Sequence, residues 1–246
     1  MRFAWLAGIV AAIGLGVAPV HAQSRFDGWS SVIVAADWRD GRGETIEAFD
    51  NARRDLARAF VEAGFDPALM TTLSLRPDVP APVTAAEALE TIRRAGQAGP
   101  RGCLLYFTSH GNRTHMVFGE GRLTPPQMAE LVDQACGSRP TVVVVSACFS
   151  GAFIPALGAP NRVVITAARR DRSSFGCAAD ATWPYFDGCM LQSLPTAPDF
   201  IALAHAARTC VARREQAENL SPPSEPQLAI GADMQLMGPT LRFAGR

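Results

Sequence analysis

Two short stretches of this chain are apolar at every position, and they constrain its fold more than any other feature. Residues 103–107 read CLLYF, and residues 142–145 are four consecutive valines. Strands with one face in water alternate apolar and polar residues, whereas strands buried on both faces are apolar throughout. Such strands are typical of a parallel sheet covered by helices on both sides. The two stretches therefore predict an α/β fold with a mostly parallel sheet at its centre.

The rest of the chain alternates between predicted strands and helices, as this fold requires. Further strands are predicted at residues 31–36, 71–75, 162–167 and 227–230, and helices at residues 44–63, 84–95, 124–135, 151–157 and 198–219. Residues 169–190 are predicted to form a long irregular loop, a feature that often carries function. No linker divides the 246 residues, so residues 23–246 are predicted to form one domain.

The first 22 residues have the composition of a secretory signal peptide. A basic second residue precedes an uncharged stretch over residues 3–20, and residues 20–22 (VHA) satisfy the small-residue rule for cleavage. We predict cleavage after Ala22 and export to the periplasm or the cell exterior. A retained membrane anchor is the alternative, because the stretch is close to the length that spans a bilayer. No later stretch is long enough, so no membrane association is expected once the signal is removed.

Charge and histidine spacing exclude two classes of function. The 23 basic residues balance the 23 acidic ones and are intermixed with them, so the chain lacks the basic footprint of a nucleic-acid-binding protein. The histidines and cysteines do not occur at metal-ligand spacing, which gives a zinc site little support. Neither a metal nor another cofactor is therefore predicted.

Export would place the six cysteines in an oxidising compartment, where 15 full pairings are possible. Cys177 and Cys189 flank one polar loop and are the favoured disulfide. Cys103 lies within a strand and is predicted to be a small buried hydrophobe. If one cysteine is a free nucleophile, a second must also stay unpaired. The remaining two cysteines are on predicted helices, and whether they meet is left open: Cys136 and Cys210.

A reactive side chain follows each of the two apolar strands. His110 comes after the first strand and Cys148 after the second, and small residues follow both. Because the carboxyl ends of neighbouring parallel strands meet at one edge, the imidazole and the thiol are expected to share a crevice. A histidine there can accept the thiol proton and later return it to a leaving group. The sequence thus predicts a nucleophilic pair, with the amides of Gly111 and Cys148 as oxyanion-hole donors.

Each of these residues also has a simpler interpretation. A cysteine after a valine run is more often a core residue or half of a disulfide, and a histidine after a strand is usually an ordinary loop residue. His115 either lines the same cleft or is a solvated loop residue, which loop statistics favour. His205 has apolar helical neighbours and is predicted to be structural. The motif G-x-S-x-G does not occur, so a serine-hydrolase nucleophile elbow does not fit.

Three sequence blocks resemble the legumain-like cysteine peptidases, which are relatives of caspases. They are residues 107–111 (FTSHG), residues 146–151 (SACFSG) and residues 165–177, which begin with ITAA and end with RSSFGC. The resemblance implies a caspase-like three-layer α/β/α sandwich with a mostly parallel sheet. It also implies His110 and Cys148 as the catalytic dyad, no metal or other cofactor, and a peptide or protein substrate.

The same resemblance suggests which residues bind substrate. In this family the loop after the first strand supplies a basic residue to the specificity pocket, and here that loop contains Arg39 and Arg42. Ser146 stands where legumains have an acidic residue. Residues 185–188 (YFDG) resemble an aromatic-Gly-Asp segment with its last two residues exchanged, which leaves the role of Asp187 open. The predicted substrate-binding residues are Arg42, Ser146, Ser173, Ser174 and Asp187.

These inferences predict an exported cysteine endopeptidase that works through an acyl-thioester intermediate. A ligase or transpeptidase using the same dyad is one alternative. A non-catalytic binding protein that keeps the fold, with Cys148 oxidised or occluded, is another.

Overall fold

The computed structural model describes residues 25–244, so the predicted signal peptide lies outside the described residues. Its eight strands are β1 (Trp29–Ala35), β2 (Met70–Ser74), β3 (Gly102–Thr108), β4 (Met116–Phe118), β5 (Gly121–Leu123), β6 (Thr141–Ser146), β7 (Arg162–Thr166) and β8 (Gln227–Ile230). Six of them form the central sheet in the order β2-β1-β3-β6-β7-β8, and β4 and β5 form a separate hairpin. All neighbours in the central sheet are parallel except β8, which runs antiparallel to β7.

Helices cover both faces of this sheet. Among the described residues the α-helices are α1 (Ala48–Glu62), α2 (Ala85–Gln97), α3 (Pro125–Cys136), α4 (Ile154–Leu157), α5 (Tyr185–Ser193), α6 (Phe200–Ala217) and α7 (Ala232–Met237). One core contains residues of α1, α5 and α6, and the other contains residues of α2, α3 and α4. The predicted α/β/α sandwich with a mostly parallel sheet is therefore confirmed.

The valine run of β6 is buried as predicted. Val142 and Val144 face the core that contains α1, α5 and α6, whereas Val143 and Val145 face the opposite core. Burying each of these side chains is worth about 1.5–3 kcal/mol. Because both faces are apolar, β6 is stable only in the middle of a covered sheet, between β3 and β7.

The long loop predicted at residues 169–190 is shorter than expected. Helix α5 begins at Tyr185, directly after Pro184 at its N-cap, so the irregular segment ends there. Gly188 lies inside the helix, and glycine in a helix interior is unfavourable by about 1 kcal/mol relative to alanine. Packing against α1 and α6 compensates for this weak local propensity, and α5 is therefore held by tertiary contacts.

Two disulfides link elements of the fold, and they correct the predicted pairing. Cys103 of β3 is bonded to Cys136 of α3, and Cys189 of α5 is bonded to Cys210 of α6. The predicted Cys177–Cys189 bond is wrong, because α5 presents Cys189 to the neighbouring helix. The prediction that Cys103 is merely a buried hydrophobe is also wrong. Cys148 and Cys177 are free, so the expectation of a second unpaired cysteine beside the nucleophile is met.

Peptide mapping of the non-reduced protein should find the Cys103–Cys136 and Cys189–Cys210 bonds. After denaturation and alkylation we expect only Cys148 and Cys177 to carry the label, since both are free thiols. A linked peptide pair containing Cys177 and Cys189 would contradict the arrangement of α5 and α6.

No helix within residues 25–244 combines the length and the apolarity needed to cross a membrane.

Candidate active site

The predicted pair lies at the carboxyl edge of the sheet, at matching heights on adjacent strands. Thr108 of β3 is the register partner of Ser146 of β6. The amide of Ser109 continues this pairing by donating a hydrogen bond to the Ser146 carbonyl at 3.0 Å. His110 and Cys148 each follow their strand by two residues, and both are half-buried. Parallel pairing thus brings the two loops together at one edge of the sheet.

A main-chain carbonyl orients the imidazole of His110. Its Nε2 atom lies 2.7 Å from the Arg39 carbonyl oxygen in the loop after β1. Since a carbonyl can only accept, Nε2 is the nitrogen that carries the proton in the neutral ring. The edge-to-face ring of Phe49, 5.1 Å away between centroids, packs against the imidazole. Nδ1 has no hydrogen-bond partner among the described residues and is left as the proton acceptor.

The chain turns sharply after Cys148. Phe149 has φ 59° and ψ 14°, a left-handed conformation that is uncommon for a residue with a side chain. The buried hydroxyl of Ser150 fixes this turn by accepting a hydrogen bond from the Ala168 amide at 3.2 Å. The turn presents Cys148 at the tip of β6, as a strand-end nucleophile requires.

Three polar groups of Ser174 contact the Cys148 sulfur. Its amide donates to Sγ at 3.3 Å, and its carbonyl and hydroxyl oxygens each lie 3.4 Å from Sγ. The segment after β7 therefore contacts the reactive atom directly.

Two main-chain amides beside the sulfur are free of internal partners. Neither Gly111 nor Cys148 donates an amide hydrogen bond to any residue in the described part of the chain. A Cβ atom on Gly111 would lie 2.7 Å from the Cys148 carbonyl oxygen and 3.0 Å from the Ala147 Cβ. Only glycine permits this approach, which places the Gly111 backbone against that of Cys148. The pair matches the composition of an oxyanion hole.

Asp187 lies beneath the strand ends, not on the cleft surface. The carboxyl group is completely buried at the first turn of α5, where it accepts hydrogen bonds from the Tyr106 hydroxyl and the Thr108 hydroxyl, each at 2.5 Å. Burial raises the pKa of Asp187 to about 6, while hydrogen bonds from Thr108, Tyr106 and Ser146 oppose the rise. The buried carboxyl thus joins α5 to β3 and β6 just below the dyad.

The other predicted substrate-binding residues occupy different depths. Ser174 contacts the Cys148 sulfur, and Ser146 is buried with Asp187. Ser173 is exposed beside Ser174. Arg42 is 82 % exposed, and within residues 25–244 it forms an ion pair only with Asp40, at 3.5 Å. The structure therefore brings Ser146, Ser174 and Asp187 together at the dyad, while Arg42 extends into solvent.

Two groups close to His110 were not predicted from the sequence. The role of the Arg39 carbonyl could not be predicted from the sequence, because every residue has a main-chain carbonyl. Cys177 was assigned to a disulfide, yet it packs in a small cluster with Phe49, the residue that contacts the imidazole. Burial, followed by the charge of Cys148, raises the pKa of the Cys177 thiol. His115 lies in the adjacent loop, where Asn112 and Thr114 contact its two ring nitrogens.

Comparison with known families identifies the segment that carries this site. Residues 101–196 match the Peptidase C13 family, and they include the dyad, Gly111, Ser174 and Asp187. The resemblance to the legumain-like peptidases is confirmed. The C13-like segment spans β3 through α5, which are the elements that build the site.

A solved structure extends the likeness from this legumain-like segment to the whole fold. Caspase-1 from Spodoptera frugiperda matches with a TM-score of 0.63 and 12 % sequence identity, over 92 % of this chain and 94 % of that chain. At this identity the match establishes the caspase-like fold alone. Curated protein sequences gave no significant match. The C13 match supports a function of the cysteine-peptidase type.

Proposed function

We propose that this protein is an exported cysteine endopeptidase in which His110 activates Cys148. The observation that carries the proposal is the position of the proton on the imidazole ring. The Arg39 carbonyl holds the proton on Nε2, which leaves Nδ1 to receive the proton of the free Cys148 thiol. A thiolate, and not a thiol, is the nucleophile that such an enzyme requires.

The reaction follows from the groups at the edge of the sheet. The thiol proton passes to His110 Nδ1, and the thiolate attacks the carbonyl carbon of a peptide bond. The amides of Gly111 and Cys148 stabilise the negative charge that develops on the carbonyl oxygen. The imidazolium then donates its proton to the departing amine, which leaves an acyl-thioester. Water, deprotonated by the neutral imidazole, hydrolyses this thioester and regenerates the thiol.

Export is the second part of the proposal. Two disulfides are present in the described part of the chain, and stable disulfides are typical of oxidising compartments. Together with the predicted signal peptide over residues 1–22, they support a mature domain of residues 23–246 in the periplasm or outside the cell.

Alkylation with iodoacetamide tests the dyad without knowledge of the substrate. We expect Cys148 to be labelled rapidly at pH 6–7 in the folded protein, because His110 and the Ser174 amide stabilise its thiolate. Cys177 should stay unlabelled until denaturation, since burial raises its pKa. The His110→Ala variant should slow the labelling of Cys148 about tenfold or more at this pH.

The matched control for alkylation is Cys177→Ser, which should leave the labelling rate of Cys148 unchanged. Equal rates in the wild type and His110→Ala would contradict activation by the imidazole. Digestion of a proteome-derived peptide library, with new termini identified by mass spectrometry, then tests endopeptidase action. Products joined to an added amine would instead indicate a transpeptidase.

A further inference from the structure

The loop after His110 is a rigid turn that presents Arg113. The Asn112 side-chain oxygen accepts hydrogen bonds from the Thr114 amide at 2.9 Å and the His115 amide at 3.0 Å. The Asn112 amide closes the turn on the His115 carbonyl at 2.9 Å. Gly111 anchors the start of the turn against the Cys148 backbone. The exposed side chain of Arg113 is therefore fixed two residues from an oxyanion-hole amide.

Arg113 rests on the residue that follows the nucleophile. Its guanidinium carbon lies 5.6 Å from the centre of the Phe149 ring, a cation–π contact. No carboxylate within the described part of the chain pairs with it, in contrast to Arg39, which pairs with Asp37 and Glu120. The N–H groups of the Arg113 guanidinium make no hydrogen bond within the described residues, so they remain able to donate. Arg113 is thus a cation next to the residue that follows Cys148, and it has no carboxylate partner in the described chain.

A second basic segment flanks the same residues. The Phe149 amide donates to the Arg172 carbonyl at 2.8 Å, and a Cβ on Gly151 would lie 2.6 Å from the Arg170 amide nitrogen. Arg169 and Arg172 pair with Asp171, whereas exposed Arg170 has no ion pair among the described residues. Two unpaired arginines, Arg113 and Arg170, therefore lie around the turn after the nucleophile. This local excess contrasts with the zero net charge of the whole chain.

We infer that Arg113 selects substrates with an aspartate or glutamate close to the scissile bond, on the Phe149 side of Cys148. The planar guanidinium can donate two parallel hydrogen bonds to a carboxylate, and Arg170 adds to the positive potential that attracts it. The inference rests on the proposed peptidase function and names its substrate class. Charge complementarity of this kind gives specificity more than overall affinity.

Positional scanning with internally quenched peptides tests this inference. Each position from four residues before to four residues after the cleaved bond carries Asp, Glu, Ala, Lys or Arg. We expect one position next to the bond at which the wild type cleaves Asp or Glu peptides about tenfold faster, in kcat/KM, than Lys or Arg peptides. Raising the salt concentration should shrink this ratio, because the contact is exposed.

Charge reversal decides whether Arg113 is the residue responsible. Arg113→Ala should remove most of the preference at that position, and Arg113→Glu should reverse it. The matched control is Arg208→Glu on α6, an exposed arginine without an ion pair in the described chain. It makes the same charge change on a helix that packs against α5, and it should leave the preference intact.

The outcomes separate this inference from the proposed function. Cys148-dependent cleavage without a charge preference, or with a preference that Arg113→Glu leaves unchanged, would overturn the role of Arg113 alone. An absence of any Cys148-dependent cleavage in the wild type would overturn both.

Discussion

Replacing Cys148 by alanine should reduce kcat/KM for any cleaved peptide about 10⁴-fold or more, because the covalent route disappears with the thiol. The fold should survive, since the side chain is small, half-buried and not part of a disulfide. His110→Ala should give a loss of similar size, and the double variant should be little worse than either single one, because the pair acts as a unit. Initial rates on one fluorogenic peptide measure all three.

The chain supplies its own control for this series in the second free thiol. Cys177→Ala removes a buried sulfur from the same region, without removing the nucleophile. It should retain activity within about tenfold of the wild type, by the usual tolerance of small core substitutions. If Cys177→Ala abolished hydrolysis and Cys148→Ala did not, the assignment of the nucleophile would be wrong.

The second large effect concerns stability and pH. Burial raises the pKa of Asp187 to about 6 in the folded protein, above the ordinary value of 3.8 for an aspartate. A raised pKa means that the folded state binds this proton more tightly than the unfolded chain does. Its contribution to stability is therefore fully present below pH 3.8 and is lost as the pH rises through about 6. The loss is on the order of 2 to 3 kcal/mol between pH 4 and pH 7.5.

Asp187→Asn provides the comparison that isolates this group. Asparagine has the same shape and cannot ionise, so all other titrating groups cancel in the difference between the two proteins. Urea unfolding at several pH values should show the wild type losing about 2 to 3 kcal/mol relative to Asp187→Asn from pH 4 to pH 7.5. A difference that is constant with pH would mean that Asp187 does not change its protonation state in this range.

The strands and the shared edge of His110 and Cys148 were predictable because their signals are local. Uninterrupted apolarity placed β3 and β6 in a covered parallel sheet, and parallel pairing then placed His110 and Cys148 at one edge. Helix α5 was missed because Gly188 weakens its local propensity, and only contacts with α1 and α6 make it stable. The Cys189–Cys210 disulfide was not predicted for the same reason, because Cys189 lies on a helix that was not expected.

The depth of Asp187 was also beyond local inference. The sequence marks an acidic residue after two aromatics, but only the packed fold shows that Tyr106 and Thr108 enclose it. A buried carboxyl and an exposed one have the same sequence signature. Arg42 illustrates the converse, because the family resemblance favoured a residue that the loop directs into solvent.

The partner of the imidazole is a carbonyl of the main chain, and this affects how the site would respond to mutagenesis. Every substitution at position 39 retains that oxygen, so side-chain replacement cannot delete it. An alanine scan would identify the Cys148 thiol and the His110 imidazole, but it would overlook the Arg39 carbonyl. Moving the β1 loop, for example by inserting a residue between Asp37 and Arg39, is the genetic change that would remove the acceptor from His110.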